Sequence, residues 1–84
     1  MNFDIKKLLS QPVFDKYDGR TMAAFEQFFY EIQGAPAGEI GAIYNRYMSK
    51  LKISEKDEQD IINAVAKQLN PVEKVKFFAV VRNL

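Results

Sequence analysis

The chain has 84 residues and a net charge of +1, with 48% apolar and 27% charged residues. A chain of this length supports one hydrophobic core, so we expect a single helical domain over residues 1–84, and the apolar content is too high for intrinsic disorder. The near-neutral charge argues against non-specific attraction to nucleic acid or to an anionic membrane surface.

Neither cysteine nor histidine occurs in the sequence. Their absence excludes disulfides, thiol catalysis and cysteine-based zinc sites, and it removes the commonest general base and metal ligand. The serine and threonine hydroxyls have no histidine to activate them as nucleophiles. We therefore expect a protein that is not an enzyme, with no cofactor, no bound metal and no small-molecule substrate.

The N-terminal residues give a first indication of location. No apolar run of signal-peptide length follows Lys6 and Lys7, and no stretch approaches the roughly 20 apolar residues of a membrane span. A secreted domain of this size would usually carry disulfides. We expect a cytoplasmic protein without a membrane partner.

Apolar residues recur at helical spacing from the N-terminus onward. The first predicted helix runs from about Asp4, its N-cap, to Ser10, and Pro12 ends it. Three apolar side chains in the following loop should pack on the core: Val13, Phe14 and Tyr17. The second helix is predicted from about Arg20 to Gln33, with one apolar stripe: Met22, Phe25, Phe28, Phe29 and Ile32.

The second half of the chain predicts three more helices. The third runs from about Glu39 to Leu51, with a stripe formed by Ile40, Ile43, Tyr44, Tyr47, Met48 and Leu51. Ser54 is the expected N-cap of the fourth, whose stripe is Ile61, Ile62, Val65, Ala66 and Leu69. The fifth begins at Asn70 and Pro71 and continues to the C-terminus. Four or five short helices joined by short loops predict an all-α fold, a compact bundle.

The fifth predicted helix is apolar on two sides. One arc contains Val72, Val75, Phe78 and Ala79, and the nearly opposite arc contains Phe77, Val80, Val81 and Leu84. A surface helix normally has a single apolar stripe, so this helix is either enclosed at the centre of the bundle or exposes one arc. We predict a partner-binding surface on the second arc, together with Tyr30 on the outer face of the second helix: Phe77, Val80, Val81, Leu84 and Tyr30.

A helix-turn-helix DNA-binding regulator is the alternative, with residues 39–51 as recognition helix. Its outer face offers side chains suited to bases and phosphates: Asn45, Arg46, Ser49 and Lys50. Against DNA binding stand the long, proline-containing connection from Gly34 to Gly38, the acid at Glu39 and the neutral net charge. A second alternative is a structural subunit that self-associates through the C-terminal helix.

The features from Gly34 to Leu69 are a proline-containing loop, an amphipathic helix with Asn45 and Arg46, a cap at Ser54 and another amphipathic helix. This layout is similar to that of small helical bacteriocin immunity proteins and also resembles small phage-encoded helical inhibitors. We transfer no functional residue from either class. Because catalytic groups are lacking, we expect a small non-catalytic helical protein of phage or plasmid type. It should bind another protein as an inhibitor, immunity or regulatory factor, with a homodimer as the other assembly.

Overall fold

Five α-helices and no strand form over residues 3–82, the part of the chain that the computed structural model describes. Their bounds are α1 (Ile5–Leu9), α2 (Gly19–Gly34), α3 (Ile40–Leu51), α4 (Glu55–Ala66) and α5 (Pro71–Arg82). Two short 3-10 turns, Pro12–Phe14 and Ala37–Glu39, lie in the connections before α2 and α3. The all-α fold expected from the sequence is confirmed. None of these helices is long and apolar enough to cross a lipid bilayer.

Side-chain caps set where four of the helices begin. Asp4 caps α1 and Asp18 caps α2, each accepting a hydrogen bond from the backbone N–H three residues further on. Ser54 accepts in the same way at 3.2 Å and begins α4. At α5 the capping box is complete, because Asn70 accepts from the N–H of Glu73 at 2.8 Å while its own N–H donates to the Glu73 carboxylate at 3.2 Å. The N-caps predicted at Asp4, Ser54 and Asn70 are confirmed.

Aromatic rings from α2, α3 and the first turn form the centre of the core. The Phe28 ring lies 5.1 Å from that of Tyr47, which joins α2 to α3. Phe14 meets Phe25 edge-on at 5.2 Å between ring centroids, so the first turn is fixed on the core as expected. The predicted stripes face inward, and their buried members are Phe25, Phe28, Phe29, Ile32, Ile40, Tyr44, Tyr47, Ile61, Ile62, Val65, Ala66 and Leu69.

Two glutamines hold the N-terminal segment in place. Gln33 of α2 donates from Nε2 to the carbonyl oxygen of Phe3 at 2.7 Å, and Gln68 accepts from the N–H of Asp4 at 2.9 Å. A helix as short as α1 has little stability of its own. Its position therefore depends on these two bonds and on the burial of Leu8.

The orientation of α5 reverses the one that we inferred from the sequence. Phe77 is only 4% exposed and belongs to the core, while Val72 and Val75 on the other arc are 64% and 71% exposed. The prediction that Phe77 lies at the surface is wrong. Each arc carries one phenylalanine: Phe77 is buried where α5 contacts α3, and Phe78 is half-buried and packs against the edge of the core. The helix is therefore oriented so that both rings lose exposure to water, which leaves Val72 and Val75 outside.

Candidate protein-binding surface

Three small apolar residues form the outer face of α5: Val72, Val75 and Ala79. All three are exposed, and their spacing of three and four residues makes them neighbours along one side of the helix. Singly exposed apolar residues are normal in small proteins, but a contiguous exposed stripe marks a place where another molecule can bind. The outer face of α5 is therefore the strongest candidate for a functional surface.

Basic side chains are frequent on α5, and two of them, Lys76 and Arg82, flank this outer face. Lys74, Lys76 and Arg82 are all exposed, and Glu73 is the only acid on the helix. Within residues 3–82 neither lysine takes part in an ion pair. The Arg82 guanidinium lies over the Phe78 ring, 5.5 Å from its centroid. An apolar strip edged by cations can attract a partner that carries acidic groups.

A groove of about 640 Å³ runs along one side of α5, between that helix, α4 and the first 3-10 turn. Lys74 and Phe78 line it from α5. Because Phe78 lies three residues beyond Val75, the groove and the outer face of α5 are adjacent on the same helix. They form one continuous surface.

Three more residues of the predicted partner-binding surface belong to the C-terminal end of the chain. Val80 and Val81 are half-buried and line narrow clefts where α5 meets the start of α3 and the side of α4, respectively. Leu84 lies outside the described residues. The sequence contained a signal for the exposed arc, because Lys76 and Arg82 flank the outer face on a helical wheel, whereas Glu73 lies near Phe77.

Tyr30 is 55% exposed on α2, so its predicted exposure is confirmed. Its helical neighbours Ala23 and Glu26 are exposed too, and neither is a large apolar residue. Tyr30 is thus a single exposed ring rather than part of an apolar patch on α2. A single exposed ring does not define a binding site.

The polar face of α3 is exposed as predicted, and its four candidate residues are Asn45, Arg46, Ser49 and Lys50. Arg46 is already engaged, because its guanidinium donates to both carboxylate oxygens of Glu31 on α2, at 2.9 and 3.0 Å. It also lies 5.3 Å from the ring centroid of Tyr47. Hydrogen bonds from Tyr47 and Arg46 lower the pKa of Glu31, which keeps a negative charge beside the residues proposed to meet DNA.

A partly buried hydroxyl–carboxylate pair joins α3 to α4. The Tyr44 hydroxyl donates to the Glu58 carboxylate, and burial followed by this hydrogen bond raises the pKa of Tyr44 well above its usual range. Neutral Tyr44 is therefore a structural donor and a poor nucleophile. Across residues 3–82 no group of three acids is placed to hold a metal ion.

Comparison with protein families, with characterised proteins and with solved structures found no match for this chain. Function is therefore inferred from the surface chemistry. The outer face of α5 combines exposed apolar area with positive charges that make no ion pair within residues 3–82. The α3 face is polar, and its arginine is neutralised by Glu31. The α5 surface is the better candidate.

Proposed function

We propose that this chain is a non-catalytic helical protein that binds another protein through the outer face of α5. The observation that supports the proposal is the exposure of Val72 and Val75 side by side, at 64% and 71%. Apolar side chains left in water are a source of binding free energy, since burying each valine contributes up to about 1.5 kcal/mol. Neighbouring exposed apolar side chains on one helix face offer area that a partner can cover.

The composition supports a binding function. Without histidine or cysteine, the hydroxyl groups of the chain have no conventional activating base. A protein of this kind can act by covering a surface of its target, as an inhibitor, immunity or regulatory factor of phage or plasmid type does. The lack of cysteine also favours a reducing compartment, so we place the protein in the cytoplasm.

The charges around the outer face of α5 distinguish between partners. In a two-fold symmetric dimer through this face, Lys76 and Arg82 of one copy would lie near the same basic residues of the other copy, and like charges at an interface are destabilising. A partner with acidic residues would instead be attracted to these basic side chains. The charges thus favour a different protein over a second copy of this chain.

The DNA-binding alternative has less support from the surface of α3. Phosphate groups would have to displace Glu31 from Arg46 or accept its negative charge beside them. The exposed valines of α5 would also have no role in such a complex. We therefore retain protein binding as the proposed function.

Affinity capture with a pair of matched variants tests this proposal. Tagged wild-type protein, Val75→Glu and Ala42→Glu are each used to capture proteins from the cells in which the chain occurs. Ala42 is exposed on α3, so its substitution adds the same charge outside the outer face of α5. We expect a specific partner with wild type and Ala42→Glu, and loss of about nine-tenths of it with Val75→Glu, equivalent to about tenfold weaker binding.

Circular dichroism of both variants should match that of wild type, because neither position is in the core. Capture of the same partner by Val75→Glu at the wild-type level would contradict the assignment to α5. Failure of all three proteins to retain any partner would contradict protein binding itself.

A further inference from the structure

The groove beside α5 has an apolar wall. Pro12 and Val13 of the first 3-10 turn form one side, Ala64 lies on α4, and Phe78 lies on α5. Val13 and Phe78 are half-buried and pack against the core with part of their surface, while the remainder lines the groove. At about 640 Å³ the groove has room for several side chains of a bound segment.

The charge of the groove is positive. Lys67 and Lys74 line it, and within residues 3–82 neither makes an ion pair. Asp60 is the only acid among the lining residues, and its carboxylate is paired with Lys56 at 3.1 Å. A segment bound in this groove would therefore gain from carrying carboxylates toward the two lysines.

The shape favours a helical occupant. Extended peptides bind by adding a strand to an open sheet edge, and the described part of the chain has no strand to offer. Amphipathic helices bind in grooves between helices through one apolar side, with anchors at helical spacing. Val75, Phe78 and Arg82 lie at spacings of three and four residues along one side of α5. A helix lying beside α5 could therefore contact the groove and the outer face together.

We infer that this groove binds an acidic amphipathic helix of a partner protein, with the apolar side of that helix on Val13 and Phe78 and its carboxylates facing Lys67 and Lys74. This inference rests on the proposed function and specifies the chemistry of the partner. An anionic membrane surface is the rival ligand for a basic, apolar helix face. It is disfavoured because the exposed apolar side chains of α5 are valines and an alanine rather than the aromatic and leucine residues typical of membrane-bound helices.

Two synthetic peptides provide the probe. Both carry leucines at the same helical spacing and have equal length, but one has glutamates and the other lysines at the remaining positions. Binding is followed by fluorescence anisotropy, and the site is located by amide chemical shifts of the labelled protein. We expect the acidic peptide alone to bind, with shifts at Val13, Asn63 and Lys67 and an affinity that falls as salt is added.

Charge reversal then tests the two lysines. The Lys67→Glu/Lys74→Glu protein should bind the acidic peptide at least about tenfold more weakly than wild type. The control Lys50→Glu/Lys52→Glu has the same change in net charge on exposed residues of α3 and its C-cap, and it should bind as wild type does. If the groove variant fails to fold, the preference of wild type for the acidic peptide and the shift map still decide the question.

Several results would overturn the inference. They are equal binding of the acidic and basic peptides, no binding of the acidic peptide, shifts confined to residues outside the groove, or binding to phosphatidylserine vesicles but not to the acidic peptide. If any of these occurs while partner capture still depends on Val75, the inference about the groove fails and the proposed function stands. If capture does not depend on Val75, the proposed function fails independently of the peptide result.

Discussion

Phe77 and Val75 lie two residues apart on α5 and face opposite ways, at 4% and 71% exposure. Phe77→Ala should lower the free energy of unfolding by about 3–4 kcal/mol, because it removes a ring from the core and leaves a cavity. Val75→Ala should lower it by less than about 0.5 kcal/mol. Urea unfolding followed by circular dichroism measures both changes. Similar losses from the two substitutions would mean that α5 is enclosed on both sides.

The Tyr44 ring is buried in the core, and its hydroxyl donates a hydrogen bond to the carboxylate of Glu58. Tyr44→Phe should cost about 1–2 kcal/mol at neutral pH, because the half-buried carboxylate loses its donor. Above about pH 10 the unfolded tyrosine loses its proton while the folded one, whose pKa is raised, keeps it. The free energy of unfolding of the wild type therefore decreases as pH rises in that range. The wild type should then exceed Tyr44→Phe in stability by a smaller margin than at neutral pH.

Equilibrium unfolding of both proteins between neutral and strongly alkaline pH tests this prediction. The other tyrosines titrate in both proteins and so cancel in the difference. A gap between the two stabilities that stays constant above about pH 10 would show that Tyr44 ionises as freely in the folded protein as in the unfolded one.

Lys52 ends α3 in the left-handed conformation, with φ 50° and ψ 54°. It is the one non-glycine residue with positive φ among residues 3–82. Lys52→Gly should raise the free energy of unfolding by up to about 1 kcal/mol, because glycine has no Cβ to strain this conformation. Lys52→Ala retains the Cβ and should give no gain. Thermal unfolding compares the two, and equal effects of glycine and alanine would exclude backbone strain as the cause.

The ion pair between Lys16 and Asp57 ties the segment before α2 to the start of α4. The Lys16 ammonium, followed by the Ser54 hydroxyl, lowers the pKa of Asp57. A carboxyl group whose folded pKa lies below its unfolded value stabilises the protein at neutral pH, and this contribution disappears as pH falls through the folded pKa. Lys16→Met should therefore reduce stability at neutral pH, and its difference in stability from wild type should shrink as pH falls from the ordinary aspartate pKa through the lowered pKa of folded Asp57.

Carbon-detected NMR titration of Asp57 gives the matching measurement. Its pKa should rise toward the ordinary aspartate range in Lys16→Met and should stay lowered in the control Lys50→Met. Added salt should weaken the stability difference, because about half of the Lys16 side chain is exposed to solvent. An Asp57 pKa that is the same in wild type and Lys16→Met would show that the ion pair does not form in solution.

Local interactions explain why much of the fold was predictable. The caps at Ser54 and Asn70 join groups three residues apart, and the apolar stripes of α2, α3 and α4 repeat at the period of the helix itself. Such signals need no knowledge of the neighbouring helices. The exposure of Tyr30 followed from the same periodicity.

The face of α5 that enters the core was not predictable in this way, because both of its arcs are apolar and periodicity favours neither. The packing of α5 against α3 buries Phe77, half-buries Phe78 and leaves Val72 and Val75 at the surface. The pairing of Arg46 with Glu31 and the groove beside α5 likewise join residues distant in sequence. Helix starts and inward stripes follow from neighbours along the chain, whereas the binding surface depends on how complete helices pack, since only packing determines which apolar area remains in water.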